Sequence, residues 1–183
     1  DLTDEERNIA EDILRALAKD VETSVREALA ENLKEYSGLA HDLAVTMASD
    51  VNSVALPIIQ FSDVLSDDDL LDIVRTQGTE KQNAVAQRAT VSEEVADALV
   101  ETGKEEVVAT LVGNDGASIS DKTFDKVLND FSKSDLVKTN MVGRSQLPVA
   151  VSERLVHLVS EKLQEQLVAK HSLPPDVATD LII

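Results

Sequence analysis

The sequence predicts an all-α protein built as an α-solenoid, a stack of helix pairs that repeats every 26–28 residues. Two observations predict this fold. Apolar residues recur at the ninth and tenth places of each repeat, and helix breakers recur after them. An aliphatic residue, usually followed by Ser or Pro, opens similar segments at positions 39, 65, 91, 119, 147 and 173. Because no single helix pair can bury its apolar side alone, such repeats stack to share a core.

Each repeat is predicted to contain two short helices. Ser or Pro near its start suits an N-cap or a first turn, and the acids that follow favour the positive end of the helix dipole. The first helix runs for about ten residues and ends at Gly78, Gly103, Ser132 or Ser160. Its buried side is predicted at the ninth and tenth places, which are Met47-Ala48, Ile73-Val74, Leu99-Val100, Val127-Leu128, Leu155-Val156 and Leu181-Ile182.

A longer helical hairpin precedes these repeats. Thr3 and Glu6 form a capping-box pattern at its start. Its second helix is predicted from Val21 to about Glu35, and the matching second helix of the next pair over Val51–Phe61. Pro57 lies inside that helix, and because proline cannot donate a backbone hydrogen bond it is expected to kink or shorten the helix.

The later helix starts follow the same logic. Thr79 and Gln82 fit a capping box, and Ser134 is a further start signal. The stretch Val149–Lys170 has two interpretations. One is a single amphipathic helix that could form a dimer seam. The other, which the repeat favours, is a pair of helices broken near Ser160.

The repeats fill the chain, so a single domain over residues 1–183 is expected. Its units start near residues 1, 39, 65, 91, 119 and 147, and a truncated unit starts at 173. The truncated unit ends in the apolar run Leu181–Ile183. From this run we expect that the natural chain continues or that a neighbouring molecule covers it.

The charge and the composition exclude several classes of protein. The chain has 17 Lys and Arg against 35 Asp and Glu, a net charge of −18. That charge repels phosphates and anionic lipids, so neither nucleic acid nor a membrane is an expected partner. The absence of Cys excludes disulfides and thiolate metal sites. A content of 43% hydrophobic residues is too high for a disordered acidic tail.

Two resemblances support the solenoid. The segment Asp20–Ala30 resembles the second helix of a HEAT repeat, with an Asp-Val opening followed by Val-Arg and Ala-Leu. The whole chain is similar to DUF2336, a bacterial family of domains of unknown function. That similarity is densest over residues 2–112 and is carried by residues 2–7, 10–14, 20–33, 64–70 and 98–103. It implies a right-handed, HEAT-like solenoid in a cytoplasmic protein, and it supplies no catalytic residues.

The histidines and one acidic run are the residues to consider for metal binding or catalysis. His41, His157 and His171 lack the i,i+4 spacing that is common in zinc sites. The acids of Asp67–Asp69 are contiguous and begin a helix, so stabilisation of the helix dipole explains them better than a cation site. We therefore expect no catalytic residue, no metal and no cofactor.

One position of the repeat, three residues before each repeat start, is cationic three times: Arg88, Arg144 and Lys170. In a solenoid, one position of the repeat forms one line on the surface. Such a line could grip an acidic or phosphorylated segment of a partner, so these are candidate partner-binding residues. Alternatively, the cations complement helix C-termini and pair locally.

These features together favour a non-enzymatic module that binds a protein or peptide on the concave side formed by the second helices. One alternative is a structural module that forms homo-oligomers through its apolar C-terminal end. A less favoured alternative is an enzyme or a nucleic-acid-binding protein, which the charge opposes.

Overall fold

A computed structural model describes residues 3–171 of the chain, and the described residues are all-helical. The described residues form no β-strand, and their β-type pairing is limited to one isolated bridge between Val91 and Ala117. The helices are α1 (Asp4–Leu17), α2 (Thr23–Leu33), α3 (His41–Ala48), α4 (Asn52–Phe61), α5 (Asp67–Thr76), α6 (Thr79–Ala86), α7 (Glu93–Glu101), α8 (Glu105–Gly113), α9 (Asp121–Asp130), α10 (Asp135–Gly143), α11 (Val149–Val156) and α12 (Glu161–Lys170). The predicted all-α class is therefore confirmed for these residues.

The chain divides into two compact units, Asp1–Ala89 and Thr90–Ile183. Each unit contains three of the predicted helix pairs, α1–α6 in unit 1 and α7–α12 in unit 2. The division falls between two predicted repeats, just before the one that starts at Val91. A single domain over residues 1–183 stays a prediction.

The second helices of the pairs form a packed row within each unit. In unit 1, α2 packs against α4 and α4 packs against α6. In unit 2, α8 packs against α10 and α10 packs against α12. The first helices α7, α9 and α11 also contact their neighbours in sequence order. Each unit is therefore built from repeated pairs in which second helices lie beside second helices.

The core follows the predicted periodicity. The residues at the ninth and tenth places of the repeats that start at 39, 65, 91, 119 and 147 are all buried. Leu181 and Ile182, in the corresponding places of the last repeat, lie outside the described residues, as does the whole Leu181–Ile183 end that the self-assembly alternative uses. Small aliphatic side chains dominate this core, which suits helices that pack closely.

Helix starts are mostly capped as predicted. Thr3 and Glu6 form the expected capping box, and Ser134 caps the start of α10. The box expected at Thr79 and Gln82 is wrong, because α6 begins one residue earlier with Gly78 as its N-cap. The Gln82 amide instead donates to the carbonyl of Val74, 2.8 Å away.

Two predictions about helix breaks have different outcomes. The stretch Val149–Lys170 forms two helices, α11 and α12, with Ser160 as the N-cap of the second. Pro57 does not shorten α4, which continues for four residues beyond it. The core explains this, because Val54, Ala55, Ile58 and Ile59 are all buried on both sides of the proline and hold the helix in place.

Candidate interaction surface

Arg88, at the end of α6, is an internal side chain. Only 9% of it is exposed, and its guanidinium donates to the carbonyls of Ile59 and Ser62, the latter at 2.8 Å. These carbonyls lie at the C-terminus of α4, where the helix has no further amides to pair with them. Burial lowers the pKa of Arg88 from its usual value, while the carboxylates of Asp67 and Asp63 act in the opposite direction.

Arg144 and Lys170 repeat this arrangement in unit 2. Arg144 follows α10, and its guanidinium donates to the carbonyls of Asn114 and Ala117, both at 2.5 Å, in the turn after α8. Lys170 is the last residue of α12, and its ammonium donates to the carbonyl of Gly143 at the end of α10. Each cation therefore joins the end of one second helix to the end of the preceding second helix.

The structure thus gives these three predicted site residues a role within the fold. It favours the interpretation that they complement helix C-termini, and it does not present Arg88 or Arg144 as exposed cations. At the same position of another repeat stands Gly116, which has no side chain to reach a carbonyl. Its own carbonyl accepts from the amide of Val91, and the carbonyl of Val91 accepts from the amide of Ser118, both within unit 2. Binding of a partner by these cations stays a prediction.

Polar bonds also join the N-terminal ends of neighbouring pairs. In unit 1, Arg26 of α2 pairs with Asp50, just before α4, at 2.6 Å. Lys81 of α6 donates to the carbonyls of Ala48 and Asp50 at 3.1 and 2.7 Å. In unit 2, the Ser134 hydroxyl at the start of α10 donates to Glu105 at the start of α8. Because starts lie beside starts and ends beside ends, the second helices within a unit run parallel.

Because of Asp50, the stability of unit 1 is expected to depend on pH. Its hydrogen bond with Arg26 lowers the pKa of this carboxyl below the usual 3.8, and desolvation only partly opposes that. A carboxyl whose pKa is lower in the folded chain than in the unfolded chain stabilises the fold at a pH above its unfolded pKa. This stabilisation disappears as the pH falls through the folded pKa. We expect Asp50→Asn to lower the free energy of unfolding by about 1 kcal/mol at pH 7. Urea titrations should show this difference shrinking as the pH falls below 3.8.

The matched control for that titration is Asp72→Asn. Asp72 is an exposed aspartate in the middle of α5, so its replacement should change the free energy of unfolding little at either pH. A loss that is the same at pH 7 and pH 3 for Asp50→Asn would contradict the proposed role of its charge.

The exposed sides of the central second helices are nearly uncharged. α4 contains no charged residue, and the exposed acids of α6, α8 and α10 occupy only the first or second residue of each helix. Lys81 and Lys138 are buried, with 5% and 9% of each residue exposed. We call the remaining exposed and half-buried side of the second helices in each unit the second-helix surface of that unit. In unit 1 it comprises Leu56, Pro57, Gln60 and Phe61 of α4 and Asn83 of α6. In unit 2 it comprises Thr110 and Gly113 of α8 and Leu136, Thr139, Asn140 and Gly143 of α10.

The first helices have the opposite surface chemistry. The exposed residues of α5, α7 and α9 are mostly charged, and most of the charges are acidic. The acids are Asp67, Asp68, Asp72, Glu93, Glu94, Asp97, Glu101, Asp121, Asp125 and Asp130. The net charge of −18 is therefore distributed unevenly, with much of the acid on first helices and little on the second-helix surface.

The second-helix surface could not be predicted from the positions of Lys and Arg in the sequence. The signal that the sequence does carry is the absence of exposed charge after the first turn of α4, α6, α8 and α10. This absence is recognised only when the structure shows that Lys81 and Lys138 are buried.

The histidines and the acidic run have local structural roles. His41 pairs with Asp69 at 2.8 Å, and Asp69 completes the capping box of α5 with Ser66. His157 and His171 are the C-caps of α11 and α12. Burial lowers the pKa of His171 from its usual value. Between residues 3 and 171 no cluster of His, Asp and Glu is arranged to hold a metal ion.

The helices described for this chain also include none with the length and apolar character of a membrane span.

Comparison with known proteins identifies a family. A model of DUF2336, described as uncharacterised proteins conserved in bacteria, matches residues 54–183, more than two thirds of the chain. No curated protein and no solved structure matches the chain. The stretch 2–112, where the resemblance is expected to be densest, is only partly included, because the match begins inside α4 and continues to the last residue. The chain belongs to the DUF2336 family of bacterial proteins.

Proposed function

We propose that this chain is a non-enzymatic module that binds another protein through the second-helix surface of unit 2. The observation that carries the proposal is the lack of exposed charge on that surface in a chain with a net charge of −18. Charged residues are depleted from the centres of protein–protein interfaces, because burying an unpaired charge is costly. A surface that selection only kept soluble would not exclude exposed charge from the second helices of both units.

The architecture that suits this function is a right-handed, HEAT-like solenoid in a cytoplasmic protein, as the family resemblance implies. Two features support it within each unit. Second helices pack in a parallel row, and the same inter-helix bonds recur at their C-termini. A closely packed row on one side of a stack of pairs is what the concave side of a curved solenoid requires.

Replacing surface threonines by lysine tests the proposal. Thr110→Lys with Thr139→Lys introduces two charges on the second-helix surface of α8 and α10. The matched control, Thr46→Lys with Thr76→Lys, introduces the same charges on the first helices α3 and α5, where both threonines are exposed. Each variant and the unchanged chain are used to capture proteins from a lysate of the source bacterium, and mass spectrometry identifies what is retained.

We expect a protein that the unchanged chain and the control retain and that the Thr110/Thr139 variant loses by about tenfold, which corresponds to about 1.4 kcal/mol. Thermal unfolding of all three proteins shows whether the variants stay folded. Equal retention of every captured protein by both variants would place binding elsewhere and contradict the proposal.

A further inference from the structure

We propose that the second-helix surface of unit 2, together with the adjoining exposed side of α12, binds an extended peptide segment that carries Lys or Arg side chains. This inference rests on the proposed function and specifies its partner. It starts from three side chains, Thr110, Asn140 and Gln166, which lie on α8, α10 and α12. All three are uncharged. The amides of Asn140 and Gln166 can donate and accept hydrogen bonds, and the hydroxyl of Thr110, which already donates to the carbonyl of Glu106 at 3.0 Å, can still accept one.

These three residues occupy the same place in their helices. Each directly precedes a fully buried residue, which is Leu111, Met141 or Leu167. The three helices are neighbours in one packed row. From their equivalent places in these helices we infer that the three polar side chains form a line across the row. The close packing of Gly113 supports this, since a Cβ at that glycine would lie 3.4 Å from the Cβ of Asn140. We call this line the polar row.

The amides of the polar row are available to a ligand. Asn140 is half-buried and Gln166 is exposed, and neither side chain has a hydrogen-bond partner among residues 3–171. An extended peptide backbone offers an unpaired N–H and an unpaired C=O at every residue. A helical partner offers neither along its length, because its own hydrogen bonds use them. The amides therefore match an extended chain better than a helix.

The spacing of the helices also fits an extended chain. Packed helices lie about 8–10 Å apart, and an extended chain rises about 3.3 Å per residue. A peptide lying across the row would meet one polar side chain about every third residue. A helical partner would instead need a continuous apolar groove. The large apolar residues exposed on these three helices are only Leu136 and Val168, on different helices, within the described residues.

Charge determines which side chains the peptide carries. The exposed carboxylates of α8, α10 and α12 are Glu105, Glu106, Asp135, Glu161 and Glu165. Against them stand two exposed lysines, both on α12, and Lys170 already donates to Gly143. Asp135 already pairs with Lys138 at 3.0 Å, and Glu105 accepts from the Ser134 hydroxyl. Lys or Arg side chains that reach outward from an extended backbone would meet the other three carboxylates, those of Glu106, Glu161 and Glu165, while the backbone itself lies over the polar row.

Unit 1 offers no such row. The residues that directly precede the buried Ile58 of α4 and Val85 of α6 are Pro57 and Ala84, whose side chains form no hydrogen bonds. The proposed peptide site therefore belongs to unit 2, and unit 1 provides matched control positions.

A labelled peptide tests the inference on the full chain. The probe is a fluorescein-labelled peptide of about 12 residues, alternating Lys and Thr, which would span about four helix spacings when extended. Binding is measured by fluorescence anisotropy at physiological salt, where loose attraction between exposed charges is screened. A second probe is an Ala-rich helical peptide with the same number of lysines, and a third replaces each Lys of the first by Glu.

We expect the Lys-Thr probe to bind at least about tenfold more tightly than the other two probes. Asn140→Ala with Gln166→Ala should weaken that binding by about tenfold. The matched control, Asn52→Ala with Gln87→Ala, removes one Asn and one Gln from exposed positions of unit 1. This control should leave the affinity for the Lys-Thr probe unchanged. These surface replacements should change stability little.

Three outcomes would overturn the inference. They are no binding of the Lys-Thr probe, equal binding of the helical lysine probe, or equal weakening by both double variants. The proposed function has a separate test, because the Thr110/Thr139 variant is compared through a captured protein. Loss of that protein together with no peptide binding would leave the proposed function standing and remove this inference alone.

Discussion

Arg88→Ala is expected to lower the free energy of unfolding by about 3 kcal/mol. The substitution removes a buried guanidinium and leaves the carbonyls of Ile59 and Ser62 without the donors that Arg88 supplies. A buried polar group left unpaired costs about 1–3 kcal/mol. Because Ser62 itself is buried, water cannot easily replace those donors without local opening of the turn after α4.

The control for this prediction is Arg88→Lys. Lys170 shows that a lysine at the equivalent position can reach one carbonyl, that of Gly143. An ammonium is a point donor and lacks the planar fork of a guanidinium, so the lysine should recover only part of the loss. Urea titrations followed by far-UV circular dichroism give the free energies. A loss below about 0.5 kcal/mol for Arg88→Ala, the size expected at an ordinary exposed position, would contradict the buried role.

The prediction also decides how partner-binding experiments on this residue are interpreted. A variant that loses about 3 kcal/mol loses a large part of the stability of an ordinary domain. Reduced capture of a partner by Arg88→Ala would then not distinguish a lost contact from a loss of folded unit 1. The threonine and amide positions of the second-helix surface avoid this problem because their replacement leaves buried groups paired.

The helices themselves could be predicted from the sequence because their signals are local. The Ser residues that cap α5, α7 and α9, and the buried pairs at the ninth and tenth places, depend only on neighbouring residues. Thr79 shows the limit of such local signals. Thr and Gln fit a capping box, but Gly78 takes the N-cap position and Gln82 bonds to Val74 across the turn.

The candidate surface could not be predicted in the same way because it depends on how pairs pack. Arg88 and Arg144 occupy the same position of their repeats. That sequence pattern is the same whether the side chains face solvent or reach the end of the preceding second helix. Only the packing of one second helix beside the previous one shows that both reach inward. The same packing buries Lys81 and Lys138 and leaves an uncharged side where the sequence has charges.

Leu99→Ala should also have a large effect, with a loss of about 3 kcal/mol in the free energy of unfolding. Leu99 is at the ninth place of its repeat and is completely buried in unit 2. Removing its branched end leaves a cavity among short aliphatic side chains that are held by their own helices and cannot move in to fill it. Urea titration of the variant measures the loss.

Leu136→Ala is the matched variant, since it makes the same chemical change in the same unit. Leu136 belongs to the second-helix surface and is 50% exposed, so its truncation should cost less than about 0.5 kcal/mol. Similar losses for the two variants would mean that Leu136 is part of the core and that α10 presents a different side to solvent. The expected contrast would instead show that a large apolar side chain lies on this surface without holding the fold together, as a residue that contacts a partner would.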